Sequence, residues 1–269
     1  MELLKGNEIV DILSRKAEEK KEMSLLRLVI LGILGGVFIA LGYLAYIRVA
    51  GTMPEGFRSI GNFIGATVFP IGLIAISLMG AELATGNTLT MTLGYLDRKV
   101  SLVNIFFNWV IIAITNIVGA ILVAYLFGHI VGLTEGDYLD TVLRVAKSKV
   151  DTTYVAMIIS GIGANIFVSM AVWIATSVNS MAGKVFGLWF PVMIFIVIGF
   201  QHSIANAFII PAAMFSGEST ITIFQFAMNF ASVFLGNVIG GAIIVAIPVF
   251  MSNRKCNRLG YCEIPYSDK

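Results

Sequence analysis

Six stretches of the chain carry no Asp, Glu, Lys or Arg: residues 28–47, 59–81, 100–134, 152–183, 185–217 and 219–253. Each is continuously apolar, and each reaches the about 20 residues that a helix needs to cross a hydrocarbon core. The pattern predicts six transmembrane helices in one all-α integral membrane domain. A β-barrel is disfavoured, because its strands would alternate. Two of the stretches carry punctuation. Residues 80–87 read Gly-Ala-Glu-Leu-Ala-Thr-Gly-Asn, and the uncharged residues 83–96 that follow Glu82 suffice for a half-helix only. Gly, Thr and Asn are poor helix-interior residues. Residues 199–214 hold His202 near the middle of the 33 uncharged residues 185–217, with Pro211 nine residues further on. Breaks are expected over Gly80–Asn87 in the second span and over Gln201–Asn206 in the fifth.

The two halves of the chain resemble each other. At a shift of 121 residues, Phe69-Pro70 falls on Phe190-Pro191, Asn108 on Asn229, and Asn116 to Gly119 on Asn237 to Gly240. At a shift of 129, Gly32-Ile33 falls on Gly161-Ile162 and Phe38 on Phe167. Three spans per copy force the second copy to enter the membrane upside down. Inverted repeats commonly hold their site near the midplane, on discontinuous helices. The shift of 121 sets Thr85 against Asn206 and Ala81 against His202. The expected division is an N-terminal segment 1–24, a channel-like domain 25–253 with repeats 25–128 and 152–253, and a tail 254–269.

Composition supports this class. Hydrophobic residues make up 58% and charged residues 13% of the chain, about half the charge of a soluble domain, and the mean hydropathy is +0.90. A net charge of +2 gives no ground for a nucleic-acid partner. With the N-terminus inside, 13 basic residues fall on cytoplasmic segments and 5 on outer ones. The positive-inside trend thus puts both termini in the cytoplasm of a cell-membrane protein. Residues 1–24 hold five basic and six acidic residues and no signal-peptide core. Ile9, Val10, Ile12 and Leu13 share one side of a helix there, which predicts an amphipathic helix on the membrane or on the bundle, or else a solvated leader. Cys256 and Cys262 in the tail would face a reducing compartment, so no structural disulfide is expected, and two cysteines alone do not make a metal site. No cofactor is implied.

Several residues could carry chemistry. His202 is either a core histidine bonded between helices or a pore-lining group that donates a hydrogen bond or a proton. Glu82, at the start of the first break, is expected to cap freed backbone N–H groups, with proton passage as the minority reading. Thr85 and Asn206 could cap half-helices, and Thr85 could offer its hydroxyl to a ligand beside His202. Lys149 belongs to a basic run, Arg144 to Asp151, that is a solvated surface or a funnel for anions. Asn165 is expected to hydrogen-bond between helices.

The stretch Gly80–Asn87, Lys149, Asn165, and His202 with Asn206 resemble, in order and spacing, the formate/nitrite transporter family, and within it the hydrosulfide channel branch. The resemblance implies an aquaporin-like fold with spans 2 and 5 interrupted, a homopentamer, and one pore per protomer. It places His202 and Thr85 between apolar constrictions at Phe69, Leu73, Leu83, Val168 and Phe195, with Lys149 and Asn165 as an electropositive pair near the outer part of the path. Ala84 stands where many formate and nitrite members carry Phe, which leaves more room in the break.

The implied function is a channel for a small monovalent weak-acid anion, inorganic or one-carbon, with hydrosulfide as the best candidate. Its partners are that anion, the lipid bilayer and further copies of the chain. A bare anion pays a large desolvation cost in an apolar ring, whereas a weak acid can cross in neutral form. A proton-coupled transporter would use the same residues. A water or neutral-solute channel lacks its Asn-Pro-Ala signature here, and a hydrolase built on His202 and Ser203 lacks Gly-x-Ser-x-Gly.

Overall fold

A computed structural model describes residues 3–254, and all regular structure among them is helical. Cys256, Cys262 and the tail beyond Arg254 lie outside the described residues. Six helices are long and apolar enough to cross a membrane: Leu25–Ala50, Glu55–Met79, Leu102–Ile130, Tyr154–Ser177, Met181–Ile198 and Ile223–Asn253. They correspond in order to the six uncharged stretches, and the chain is a multi-pass membrane protein.

In chain order the helices are α1 (Gly6–Glu22), α2 (Leu25–Ala50), α3 (Arg58–Val68), α4 (Ile71–Met79), α5 (Ala84–Leu96), α6 (Leu102–Val123), α7 (Leu139–Val150), α8 (Tyr154–Ser177), α9 (Met181–Ile198), α10 (Ser203–Phe215), α11 (Ile223–Val238) and α12 (Ile247–Asn253). Wider π turns prolong α6 over Ala124–Ile130 and join α11 to α12 over Ile239–Ala246. The bundle is apolar outside, and its mostly apolar interior also holds buried polar side chains. Along α6, Val103, Phe106, Phe107, Val110, Ile114 and Val118 are exposed at helical spacing, while Asn108, Thr115 and Asn116 are buried. Lipid accepts the first set. The second set must find hydrogen-bond partners within the protein.

Close packing of backbones holds the long helices together. A Cβ on Gly36 of α2 would fall on the Asn116 carbonyl oxygen of α6, and one on Gly236 of α11 would fall on the Ile158 carbonyl oxygen of α8. Small residues at such crossings let membrane helices approach where no hydrophobic force drives them together.

Of its two possible supports, membrane or bundle, α1 takes the bundle. Ile9, Val10 and Leu13 are buried against Leu89 and Leu93 of α5 and Phe250 of α12. Each such side chain contributes up to about 1.5–3 kcal/mol. Arg254, itself buried, donates to Asp11 of α1 at 2.6 Å and to Asp97 at 3.0 Å.

Candidate functional site

Two short extended segments interrupt helical structure inside the bundle, and they are built alike. Helix α4 ends at Gly80 with φ 75°, and α9 ends at Gly199 with φ 90°. In each case the next residue closes the helix end: Ala81 N–H donates to Ile76 O at 3.0 Å and Phe200 N–H to Phe195 O at 3.2 Å. This is a left-handed helix stop, for which glycine is suited because it has no Cβ. The chain then runs extended to Leu83 (φ −125°, ψ 121°) and to His202 (φ −114°, ψ 121°), where α5 and α10 begin.

Two asparagines hold these starts. Asn116 Oδ1 accepts from Ala84 N–H at 3.0 Å while its Nδ2 donates to Glu82 O at 2.9 Å. Asn237 Oδ1 accepts from Ser203 N–H at 3.0 Å while its Nδ2 donates to Gly161 O at 2.8 Å and to Gln201 O at 3.4 Å. Behind them, Asn87 Nδ2 reaches Glu82 Oε2 at 2.7 Å and Asn108 Oδ1 at 2.9 Å, and Asn206 Nδ2 reaches Gln201 Oε1 at 2.8 Å and Asn229 Oδ1 at 3.0 Å. The asparagines at 116 and 237, and at 108 and 229, were matched in sequence, but their role in tying down backbone was not foreseen.

The like-for-like pairs Gly80 and Gly199, Leu83 and His202, and Asn87 and Asn206 are 119 residues apart. The pairing of Thr85 with Asn206 and of Ala81 with His202 is therefore wrong by two. The cause is a shorter run from Pro191 to Gly199, eight residues, than from Pro70 to Gly80, ten. The two residues are regained before Asn229.

His202 and Thr85 meet where α5 and α10 start. Thr85 Oγ1 lies 2.8 Å from His202 Nε2, and both residues are buried. His202 Nδ1 accepts from Ala205 N–H at 3.2 Å and so caps α10. A ring nitrogen that accepts carries a lone pair, so the hydrogen of the neutral ring is on Nε2 and is donated to Thr85 Oγ1. The threonine hydroxyl is left to donate elsewhere. Giving up the Nε2 proton would leave an imidazolate unless Nδ1 gained a proton in place of its cap. The arrangement therefore favours hydrogen-bond donation over proton donation. The positive ends of the α5 and α10 dipoles fall at this same level.

The remaining expected residues divide. Glu82 does not cap backbone N–H groups, because Asn116 already serves Ala84. Its carboxylate instead accepts from Asn87 and from Lys20 of α1. Lys20 was not singled out from the sequence, because nothing local marks a lysine in a charged segment as the partner of a distant buried carboxylate. Removing one partner of a buried ion pair strands the other. Lys20→Met is therefore expected to lower stability by about 2 kcal/mol, with partial recovery in Lys20→Met/Glu82→Gln, as read by thermal unfolding in detergent.

Asn165 and Lys149 share no hydrogen bond among the described residues. Asn165 lies about 17 Å along α8 from Tyr154, and its Nδ2 donates to Thr88 Oγ1 at 2.8 Å, Asn237 O at 2.5 Å and Thr85 O at 3.3 Å. It fastens α5 to the second half of the bundle, and its Oδ1 is buried without a partner. Lys149 ends α7, and its carbonyl accepts from Asn229 Nδ2 at 2.7 Å. Its ammonium makes no ion pair among the described residues, and burial pushes its pKa down to about 8.

Phe69, Leu73, Leu83, Val168 and Phe195 are all buried in the main apolar cluster. Phe195 stacks on the His202 ring at 6.1 Å and meets the edge of Phe69 at 6.0 Å, and Tyr43 packs on Phe69 at 5.6 Å. Leu73 and Leu83 instead border a cavity of about 680 Å³ walled by α1. Neither His202 nor Thr85 lines that cavity. The Ala84 methyl is turned into a separate cluster with Leu28, Ile112 and Ala113.

The family model for the formate/nitrite transporter matches residues 7–251. The chain belongs to that family. It is 46% identical over 259 residues to the uncharacterized transporter YrhG of Bacillus subtilis, covering 96% of this chain and 97% of the relative. It is 43% identical to the formate channel BtFdhC of Bacillus thuringiensis, covering 93% and 96%, and 31% identical to the formate channel FocA of Escherichia coli, covering 81% and 83%. Two solved structures share its fold. One is an FNT family ion channel, with a TM-score of 0.85, 21% identity, and coverage of 91% of this chain and 98% of that one. The other is a pentameric formate channel with formate bound, with a TM-score of 0.74, 24% identity, and coverage of 85% and 97%. The formate/nitrite transporter family thus accounts for the six crossings and for an anion channel or transporter rather than an enzyme.

Proposed function

We propose that the chain conducts small monovalent weak-acid anions, formate first among them, past the Thr85–His202 pair. The single observation that carries this is the 2.8 Å bond between Thr85 Oγ1 and His202 Nε2 at the level where two helices start. Formate takes the place of hydrosulfide for two reasons. Ala84 is buried against α2 and α6, and relatives covered over most of their length are named as formate channels.

In this reading the chain is an aquaporin-like pair of inverted three-span repeats with spans 2 and 5 broken. The matched stops at Gly80 and Gly199 and the matched ties of Asn116 and Asn237 support it. Five copies form the channel in the cell membrane, with both termini cytoplasmic, as the bias of basic residues favours. The anion enters from the outer side past Lys149. Phe69 and Phe195 on one side and Leu73 and Leu83 on the other keep water out, with Val168 packed beside them. Between them the Thr85 hydroxyl, polarised by the His202 Nε2–H that it accepts, replaces lost hydration, helped by the two helix dipoles. A neutral donor pair leaves no ionic trap, so the anion, or its acid after picking up a solvent proton, can leave. Asn165 and Asn206 position α5 and α10, and Glu82 with Lys20 anchors the inner side.

The test is uptake of labelled formate into proteoliposomes. Flux well above protein-free vesicles, relaxing to equal concentrations on both sides, is expected. Concentration of formate against its gradient when a pH gradient is imposed would make the chain a proton-coupled transporter instead, and absence of flux would end the proposal. The lowered pKa of Lys149 adds a pH effect. Below about 8 the ammonium is charged and attracts the anion; above it the amine is neutral and attraction is lost. Half-saturation for formate is expected to rise as the outer pH passes about 8, and Lys149→Met is expected to remove that rise.

A further inference from the structure

The cavity bounded by α1, Leu73 and Leu83 is far larger than a one-carbon anion needs. Its volume, about 680 Å³, lies in the range that encloses a drug-sized ligand. Its wall is charged. Lys16, Lys20, Arg27 and Lys184 line it against Glu19 and Glu82. Glu82 is already paired with Lys20, whereas Lys16, Arg27 and Lys184 make no ion pair among the described residues. Burial and the charges of Lys20 and Lys184 lower the pKa of Lys16, outweighing the opposite pull of Glu19 and Glu82. Helix α9 starts at the rim of the cavity, where Asn179 and Lys184 both line it. A helix start adds positive potential there.

Cations held close together at the mouth of an apolar constriction repel one another, and a single monovalent anion offsets only part of that repulsion. We propose that this cavity is a binding site for a multivalent phosphate-bearing metabolite, held by Lys16, Lys184 and Arg27, which seats above Leu73 and Leu83 and blocks the path. A ligand with two or more charges accepts several charge-assisted hydrogen bonds at once. It cannot follow formate inward, because the cost of stripping its water multiplies with charge. The blocking part rests on the channel reading above, whereas the binding part does not.

Inorganic pyrophosphate is the probe. Calorimetric titration of the full-length protein in detergent is expected to detect saturable binding at constant ionic strength. Lys16→Gln/Lys184→Gln is expected to weaken it by about tenfold or more, while Lys147→Gln, whose lysine does not line the cavity, binds as wild type. In proteoliposomes, pyrophosphate on both sides is expected to lower formate uptake, and the double variant to need correspondingly more of it for the same fractional loss. Equal binding by wild type and the double variant, or no saturable heat at all, overturns the site. Binding without loss of uptake overturns the block. Should the wild type conduct no formate, the channel reading fails, and the titration still decides the site.

Discussion

His202→Asn is expected to leave a folded protein that conducts formate about ten- to a hundredfold more slowly than wild type. The histidine has two functions that this substitution separates. Nδ1 caps α10 through Ala205 N–H, and asparagine is among the best N-cap residues. Nε2 reaches Thr85 of α5, which the shorter asparagine cannot do. A hydrogen bond to a charged partner is worth about 1.5–3 kcal/mol, and each 1.4 kcal/mol is a factor of ten, which sets the range. His202→Phe loses both functions, so its flux should fall as far and its unfolding temperature should fall as well, by the equivalent of about 1 kcal/mol for the lost cap. Uptake measured beside thermal unfolding separates the two losses. Wild-type flux in His202→Asn would show that the ring is a structural cap only.

Gly36→Val is expected to prevent assembly of the bundle. The added Cβ meets the backbone oxygen of Asn116 rather than a side chain that can rotate away. Asn116 is also the residue that holds Ala84 and Glu82 in place. Relief requires α2 and α6 to separate along their length, at a cost beyond the about 1–3 kcal/mol of ordinary overpacking. Aggregation or loss of the main peak in size-exclusion chromatography is expected. Gly56→Ala is the control: it meets no atom within 4 Å and should behave as wild type.

Much of the fold was legible because lipid imposes a simple rule. Uncharged runs of sufficient length must cross, and the six observed helices correspond to them in order. Site geometry was less legible. Thr85 and His202 are 117 residues apart in sequence, and it was the resemblance to a family that set them in one path. The two-residue error in matching the halves arose because one shift was carried across a stretch that is two residues shorter in the second half. It took the positive φ angles of Gly80 and Gly199 to mark the register. The Lys20–Glu82 pair was invisible because a lysine in a charged N-terminal segment has no local sign of a buried partner. The Asn165 amide serves Thr88 and the Asn237 carbonyl, partners that the sequence did not single out. The general expectation, a hydrogen bond between helices, describes it.

The central claim is that Thr85 and His202 act on the anion as one donor unit. Formate uptake by wild type, Thr85→Val, His202→Asn and the double variant, in proteoliposomes from matched preparations, tests it most directly. If the two act together, each single variant loses flux and the double variant is no slower than the worse single one. Losses that multiply would make the two residues independent, and a set of four equal fluxes would contradict the account.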